Sequence, residues 1–325
     1  MKTIHLFAAL GVLTLSGCAS IGEHALVTTP VPSETHEATG WDEVFLHPTA
    51  LAVRAYQTGV VLTGPRILVD ADDPHTPEDQ KVEQWVPALS YLVRHPTRGA
   101  FLMDTGMRPV DGDGKCDFGI WPVFSAPCRA AVGQDIASQL RRDGVDPKSL
   151  TFVLVSHLHG DHAGGLRALA SAGPLRVLLA KEEWAAASRS FRALDGYISP
   201  MLDGSYDVTL LPMDRAVEMP YVGRALDLFG DASVWVIPTA GHTRGELSVL
   251  LNAKSGPILF TFDASHLRAG LEHSVVPGFT VDRAAARSAV DRLDALRRAY
   301  PSMQVIYGHE PTQWAGKPQA VDLTR

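Results

Sequence analysis

Cysteine is scarce in this sequence, and so is positive charge. Three cysteines in 325 residues do not make a disulfide-built scaffold, and a chain of this length buries enough apolar surface to fold without one. The 29 Lys and Arg are outnumbered by 36 Asp and Glu, which gives a formal net charge of −7. This balance lacks the electrostatic footprint of a nucleic-acid-binding protein and offers acidic substrates no attractive overall field. We therefore expect no nucleic-acid partner, and any anionic group must be held locally, most readily by a metal.

A long apolar run stands at the N-terminus, where Ile4–Leu15 follows Met1-Lys2. The run is too short to span a bilayer permanently and is typical of the apolar region of a secretory signal. It ends in Leu15-Ser16-Gly17-Cys18, which resembles the bacterial lipobox. The resemblance implies cleavage before Cys18, lipid on its sulfur and, because Ala19 follows, sorting to the outer membrane. We predict an exported outer-membrane lipoprotein, facing the periplasm or cell surface and anchored by more than one acyl chain; the alternative is an ordinary signal peptide with an incidental cysteine.

Composition divides the chain into three parts. Residues 1–17 are predicted to be the signal peptide, and residues 18–40, rich in Thr, Pro, Ser and Glu, a flexible tether. Residues 41–325 show no further break or repeat and are predicted to form one catalytic domain. Within it, Cys116 and Cys128 lie in one loop-like stretch and outside any metal-binding spacing. In an oxidising compartment they either form a disulfide that closes a short loop or remain two free thiols, and both alternatives stay open.

Periodicity predicts a mixed α/β domain. Short apolar or alternating runs predict strands, and the turn composition of Pro96–Gly99 joins two of them in a hairpin. The predicted strands are Leu51–Leu62, Trp85–Arg94, Gly99–Asp104, Leu150–Val155, Val234–Pro238, Leu247–Leu251, Ile258–Phe262 and Gln304–Tyr307. Helices are predicted over Val132–Arg142, from Gly164 onward, and from an N-cap at Asp282 to about Tyr300.

The run His157-Leu158-His159-Gly160-Asp161-His162 concentrates metal-binding groups directly after a predicted strand. Buried histidines each need a partner, so a purely structural reading requires three independently satisfied imidazoles in one loop. Metal binding accounts for all of these residues with a single explanation, because Zn²⁺ accepts neutral imidazole nitrogen and carboxylate oxygen. Alternate side chains on such a turn can face different centres, with His157 and His159 on one metal and Asp161 and His162 on a second.

Three further candidate ligands stand at the ends of other predicted strands. His242 follows Val234–Pro238, Asp263 follows Ile258–Phe262, and His309 follows Gln304–Tyr307. Each alone is weak evidence, because a lone His or Asp at a strand end is more often a polar loop residue. Together they supply the ligands that two four- or five-coordinate metals need once a bridging water is added.

The ordered series of these motifs resembles the metallo-β-lactamase superfamily. It comprises Asp104-Thr-Gly, His157-X-His-X-Asp-His, Gly241-His242-Thr, Asp263 and Gly308-His309. The resemblance implies an αββα sandwich with two divalent metals, zinc favoured, at one edge. It further implies that His157, His159 and His242 hold the first metal, that Asp161, His162 and His309 hold the second, and that Asp263 bridges them. Asp104 would fix the loop and orient a ligand histidine.

Around Asp263 the sequence is similar to N-acyl homoserine lactone lactonases. The similarity lies in Thr261–Ser265, Val276–Phe279 and the helix leading to His309-Glu310. One position differs, because those lactonases usually carry a tyrosine three residues after the bridging aspartate and this chain has His266. We expect the His266 imidazole to donate to the substrate carbonyl in place of that tyrosine, or the role to be missing. Glu246 stands where glyoxalase-II-like sequences have a second histidine, which argues against a thioesterase.

The predicted function is a dinuclear metal-dependent hydrolase that opens lactones through a metal-bridging hydroxide, with Asp161 passing a proton to the leaving alkoxide. The stretch Asp111–Pro127 carries Phe118 and Trp121 among Gly, Asp and Pro, so it is predicted to be a loop over the core or a lid that covers an acyl chain. The alternative is a phosphotriesterase-type or other ester hydrolase on the same metals. A non-catalytic lipoprotein with structural metals is disfavoured, because structural zinc sites close their coordination with protein ligands.

Overall fold

The computed structural model describes residues 38–110, 127–189, 192–198 and 204–324, together with His24, Leu26 and Leu202. The predicted signal peptide, Cys18, Cys116 and residues 111–126 of the predicted lid lie outside the described residues. Across the described segments, no helix has both the length and the apolar character needed to cross a membrane.

Two β-sheets dominate the described structure. In the first sheet the strands run in the order β14-β1-β2-β3-β5-β6-β7 with β4 paired to β1, and in the second β13-β12-β11-β10-β9-β8. Pairing is parallel between β3 and β5, along β5-β6-β7 and between β12 and β13, and antiparallel elsewhere. The strands are β1 Ala52–Thr63, β2 Gln84–His95, β3 Gly99–Met103, β4 Cys128–Arg129, β5 Leu150–Leu154, β6 Arg176–Leu179, β7 Asp207–Leu210, β8 Val217–Met219, β9 Gly223–Asp227, β10 Val234–Pro238, β11 Leu247–Ala253, β12 Gly256–Phe262, β13 Gln304–Tyr307 and β14 Ala320–Asp322.

Helices cover the outer faces of both sheets. Those in the described residues are α1 Trp41–Leu46, α2 Pro65–Leu68, α3 Ile136–Arg142, α4 Gly160–Ala163, α5 Leu166–Ala170, α6 Lys181–Ala187, α7 Arg268–Glu272 and α8 Arg283–Ala299. The long helix α8 begins where Asp282 accepts a hydrogen bond from the Ala285 N–H, as the N-cap composition predicts.

Strand alternation explains the layering. Tyr91 and Val93 of β2 point into the core between the sheets, whereas Leu92 points into a second core shared with α3, α5 and α6. In the same way Val236 of β10 faces the central core, while Trp235 packs into a third core with α1 and α8. Because successive side chains on a strand point to opposite faces, each sheet buries both of its faces. The αββα sandwich is confirmed.

The predicted elements agree with the structure to within a few residues, with one correction. The predicted hairpin is the antiparallel β2–β3 pair, in which Tyr91 lies opposite Met103. The helix expected from Val132 begins only at Ile136, because Gly133 has a positive φ of 75° and Asp135 is the N-cap, accepting from the Ser138 N–H. The strands β4, β6 to β9 and β14 were not predicted.

Two described residues of the region predicted to be a tether contact the domain. The His24 ring lies 4.1 Å from the Tyr206 ring and 5.4 Å from that of Trp184. Leu26 forms an isolated parallel bridge with Val208 of β7. These contacts place two points of the N-terminal region beside β7, the last strand in the order of the first sheet.

Candidate metal centre

Seven side chains meet where strands of the two sheets end. Four of them, between His157 and His162, belong to the loop that follows β5 and to the start of α4. The other three follow β10, β12 and β13. The structure brings together all seven of the ligands predicted from the sequence, within groups whose potential ligand atoms lie no more than 4.8 Å apart. They are His157, His159, Asp161, His162, His242, Asp263 and His309.

One half of the centre contains Asp161, His162 and His309, completed by Asp263. The two Nε2 atoms of His162 and His309 are 3.4 Å apart. Asp263 Oδ1 lies 3.3 Å from each of them, and Asp161 Oδ2 lies 3.4 Å from His309 Nε2. Ligand atoms around a tetrahedral zinc with its usual bond lengths are separated by roughly 3.3–3.6 Å. These four atoms therefore have the spacing of a coordination shell.

The other half contains His157, His159 and His242, and the second carboxylate oxygen of Asp263 faces it. His242 Nε2 lies 3.0 Å from His159 Nδ1 and 3.4 Å from Asp263 Oδ2. His157 Nε2 is 3.7 Å from the same oxygen. Asp263 thus offers one oxygen to each half, the arrangement of a bridging carboxylate.

The chemistry of these atoms fits divalent metal ions. Among the described residues, His157 Nε2 and Asp263 Oδ1 are buried with no hydrogen-bond partner. Unsatisfied buried polar atoms are costly, and a cation satisfies both a lone pair on nitrogen and a carboxylate oxygen. Imidazole and carboxylate ligands suit zinc, and also iron, cobalt or manganese.

Each of four histidines presents one nitrogen to the centre because the other is held by a fixed acceptor. His242 Nδ1 lies 2.7 Å from the Phe279 carbonyl oxygen, and His309 Nδ1 lies 2.8 Å from that of Pro87. His162 Nδ1 lies 2.7 Å from Asp104 Oδ2, and His159 Nε2 lies 2.8 Å from a backbone oxygen. An N–H directed to such an acceptor leaves the opposite nitrogen with a lone pair for the metal.

Asp104 has the position that the resemblance implies. It follows β3, is 1% exposed and adopts a positive φ of 54°. Its carboxylate accepts from the Ser156 N–H and hydroxyl at 2.7 and 2.8 Å, and from His162 Nδ1. One carboxylate therefore fixes both the start of the ligand loop and the ring of a ligand.

Two buried glutamates support the clustered side chains, and neither was assigned a role in the centre from the sequence. Glu246 accepts from the Asp263 N–H at 3.0 Å, and its other oxygen lies 3.3 Å from His157 Nδ1. Glu183 of α6 accepts from the N–H groups of Leu158 and Gly245 at 2.8 and 3.0 Å, which ties two ligand-bearing loops together. The sequence did single out Glu246, because it stands where related motifs have a histidine. Nothing in the sequence distinguishes Glu183 from its neighbours.

Close backbone approach explains two glycines beside ligands. A Cβ on Gly308 would lie 2.5 Å from Asp263 Oδ1 and 2.6 Å from the Phe262 carbonyl oxygen. A Cβ on Gly241 would lie 2.4 Å from backbone atoms of Ala286, and the φ of this glycine is 154°. A larger residue at either position must therefore move a ligand-bearing segment.

The electrostatics differ between the two halves. Burial lowers the pKa of His157 and His242 well below the usual range, and it lowers the pKa of His159 to about 4. These rings stay neutral and retain lone pairs. Burial acts in the same direction on His162 and His309, but the carboxylates of Asp263 and Asp161 outweigh it and raise the pKa of both. In the second half the carboxylates therefore favour positive charge on the rings more strongly than burial opposes it.

His266, predicted to contact the substrate, is also part of this cluster. It is 2% exposed, and its Nε2 lies 3.0 Å from Asp263 Oδ2. Its Nδ1 lies 2.9 Å from the Leu68 carbonyl oxygen. Both ring nitrogens thus have a partner within the protein.

The chain is similar to known N-acyl homoserine lactonases. It is 27% identical over 237 residues to N-acyl homoserine lactonase AttM of Azorhizobium caulinodans, covering 70% of this chain and 84% of that protein. It is 29% identical over 240 residues to an N-acyl homoserine lactonase of a Bacillus species, covering 71% and 84%. The structure of an N-acyl homoserine lactone hydrolase with N-hexanoyl-L-homoserine bound at its catalytic metal centre superposes with a TM-score of 0.65 at 21% identity, covering 82% of this chain and 95% of that one.

The family assignment rests on a match to a family profile. The sequence profile of the metallo-beta-lactamase superfamily matches residues 84–309, a range that contains all seven clustered side chains. The match extends over more than half of the chain, and the superposed structures share its fold. The chain belongs to the metallo-beta-lactamase superfamily.

Proposed function

We propose that this protein hydrolyses lactones, N-acyl homoserine lactones in particular, at a centre of two divalent metal ions, with zinc as the favoured metal. The observation that carries the proposal is the Asp263 carboxylate, which offers Oδ1 to one group of ligand atoms and Oδ2 to the other. The names of the similar proteins supply the substrate class. A structural neighbour described as a dizinc lactonase, with a TM-score of 0.55, supports the choice of metal.

The clustered residues have different roles in ester hydrolysis, either holding a metal ion or transferring a proton. When bound, a pair of divalent ions lowers the pKa of a water to about 7 and polarises an ester carbonyl. His157, His159 and His242 hold one ion, and the fixed tautomer of His242 aims its lone pair without reorganisation. Of the two carboxylates in the cluster, Asp161 is the more exposed, with 19% of its side chain accessible against 4% for Asp263. It is therefore the carboxylate best placed to hold a proton for the departing alkoxide.

An aromatic side chain lies beside the first half of the centre. The half-buried Phe279 has its ring 6.0 Å from the ring of His159 and 5.9 Å from that of His242. Its carbonyl oxygen also fixes the His242 tautomer. Phe279 thus gives an acyl chain a surface to pack against beside the metals.

A comparison of three substrates tests the proposal. Zinc-loaded protein is assayed on an N-acyl homoserine lactone, a phosphotriester and a simple aryl ester, with His273→Ala as a control because His273 is exposed and outside the cluster. The lactone should give the highest kcat/KM, and Asp161→Asn should lower it by roughly 100-fold or more, the scale of a positioned proton donor. Faster turnover of the phosphotriester by protein carrying both metals would contradict lactonase function and favour the phosphotriesterase alternative.

We also propose that the protein is exported and lipidated on Cys18, anchored in the outer membrane. The support is Leu15-Ser16-Gly17-Cys18 at the end of the apolar run Ile4–Leu15. A Cys18→Ala variant should lose membrane association and accumulate as precursor or soluble protein, whereas Cys128→Ala serves as the matched control. Unchanged membrane fractionation of Cys18→Ala would refute lipid anchoring.

A further inference from the structure

His266 is a buried histidine at the metal centre to which the proposed mechanism assigns no step. It follows Asp263 by three residues, and its side chain is 2% exposed. Its Nδ1 lies 2.9 Å from the Leu68 carbonyl oxygen and its Nε2 lies 3.0 Å from Asp263 Oδ2. The ring cannot donate to a substrate without losing one of these contacts. Its place in the centre therefore needs another explanation.

The two contacts restrict the protonation of the ring. A carbonyl oxygen only accepts, so Nδ1 of His266 carries the hydrogen that bonds Leu68 O. In a neutral ring Nε2 then has a lone pair, which faces a carboxylate oxygen of Asp263 that also only accepts. Nε2 approaches Asp263 Oδ2 to 3.0 Å, so either a hydrogen on Nε2 or a metal ion bound by both atoms accounts for the contact.

His266 has the same arrangement as two of the predicted ligands. His242 and His309 likewise direct Nδ1 to a backbone carbonyl oxygen, at 2.7 and 2.8 Å, and Nε2 to the centre. This arrangement is the usual one for metal-bound imidazoles, because the second hydrogen bond fixes the tautomer and the ring orientation. The His266 ring also lies 4.9 Å from the His242 ring and 5.4 Å from the His309 ring, measured between centroids.

We propose that His266 is a sixth histidine ligand of the centre and binds, through Nε2, the metal held by His157, His159 and His242. The Nε2 atom belongs with ligand atoms of His242 and Asp263 to a group that lies within 4.8 Å. It faces Asp263 Oδ2, the oxygen directed to His242, whereas Oδ1 faces His162 and His309. The inference rests on the metal centre of the proposed function but is independent of the substrate.

Nitrogen-15 NMR of histidine-labelled protein tests the bond directly. In the zinc protein, the His266 resonances, assigned by their loss in His266→Gln, should show a proton on Nδ1 and none on Nε2. After replacement of zinc by cadmium-113, Nε2 should show a one-bond coupling to the metal. A proton on Nε2 together with no cadmium coupling would overturn the inference and leave His266 as a hydrogen-bond donor to Asp263.

Metal affinity separates a ligand from a donor without measuring activity. Both His266→Leu and His266→Gln should weaken binding of the first metal by at least roughly tenfold, since even the outer partners of ligands contribute 10–100-fold. His266→Gln distinguishes a metal ligand from a hydrogen-bond donor, because glutamine keeps a side-chain N–H that can donate to Asp263 and keeps the buried site polar. His273→Gln, at an exposed histidine, is the matched control.

The outcomes separate this inference from the proposed function. Wild-type affinity for the first metal in His266→Gln would overturn the inference while leaving the lactonase proposal intact. A protein that binds no divalent metal at all would overturn both. Failure to hydrolyse lactones by protein with normal metal binding and a cadmium-coupled His266 would overturn only the function.

Discussion

Replacing Asp104 by asparagine should selectively weaken binding of the second metal, the one assigned to Asp161, His162 and His309. The Asp104 carboxylate accepts from the Ser156 N–H, the Ser156 hydroxyl and His162 Nδ1, at 2.7, 2.8 and 2.7 Å. An asparagine of the same shape has one acceptor oxygen and one NH₂ group. If the NH₂ faces His162 Nδ1, two donors meet and the ring must shift its proton to Nε2, where it blocks the metal. If it faces the Ser156 N–H, the start of the ligand loop loses its anchor.

The magnitude follows from the role of an outer hydrogen-bond partner. Loss of such a partner typically weakens metal binding 10–100-fold, which is about 1.4–2.7 kcal/mol. In the proposed centre His162 binds only the second metal, so the first metal should keep its affinity. In either orientation the asparagine NH₂ group faces another N–H, so a buried donor is left without an acceptor. This should lower the free energy of unfolding by about 1–3 kcal/mol.

A graded competition with a chromophoric chelator measures both metals. The wild type, Asp104→Asn and Asp143→Asn are loaded with zinc and titrated, and bound metal is counted by elemental analysis. Asp143 is the matched control because it is a carboxylate that accepts from Arg54 and Tyr56 outside the centre. Equal retention of the second metal in folded Asp104→Asn, or loss of the first metal instead, would refute the argument that Asp104 acts through His162.

Three further predictions concern metal content, packing and pH. Purified protein should contain about two divalent ions per chain, and elemental analysis that finds one or none in active protein would contradict the dinuclear centre. Gly308→Ala should lose metal and be destabilised by about 1–3 kcal/mol in chemical unfolding, because its Cβ would lie 2.5 Å from Asp263 Oδ1; Gly64→Ala, which meets nothing within 4 Å, should not lose metal. Burial lowers the pKa of His95 below its ordinary value of 6.5, so the unfolded chain binds the proton more readily and His95 contributes its full stability to the fold only above pH 6.5. The stability advantage of wild type over His95→Gln should therefore shrink as pH falls below 6.5, and a pH-independent difference in urea unfolding would contradict it.

The meeting of these seven side chains was predictable because much of its signal is local. His157, His159, Asp161 and His162 lie within six residues after an apolar run, so one loop delivers four donors wherever the strand lies. The distant ligands were found by the same rule, since each follows a strand whose apolar pattern is visible in sequence. Short apolar runs predicted the strands, whereas the layered αββα sandwich was implied by the resemblance of the ordered motifs to a known family.

The boundaries that were missed depended on backbone geometry. The helix expected from Val132 begins at Ile136, because the turn at Gly133 needs a positive φ before Asp135 can cap. The strands β6 and β7 are only four residues each, and so short an apolar run does not distinguish a strand from a helix segment.

The supporting contacts were decided by tertiary structure alone. The sequence identifies which side chains can bind a metal, because that depends on residue type. It does not identify what faces the second nitrogen of each ring, because those acceptors come from elsewhere in the chain. The Leu68 carbonyl that fixes His266 lies 198 residues away, and the Pro87 carbonyl that fixes His309 lies 222 residues away. Whether His266 faces a substrate or a metal is set by where these backbone segments cross, and only the folded chain determines that crossing.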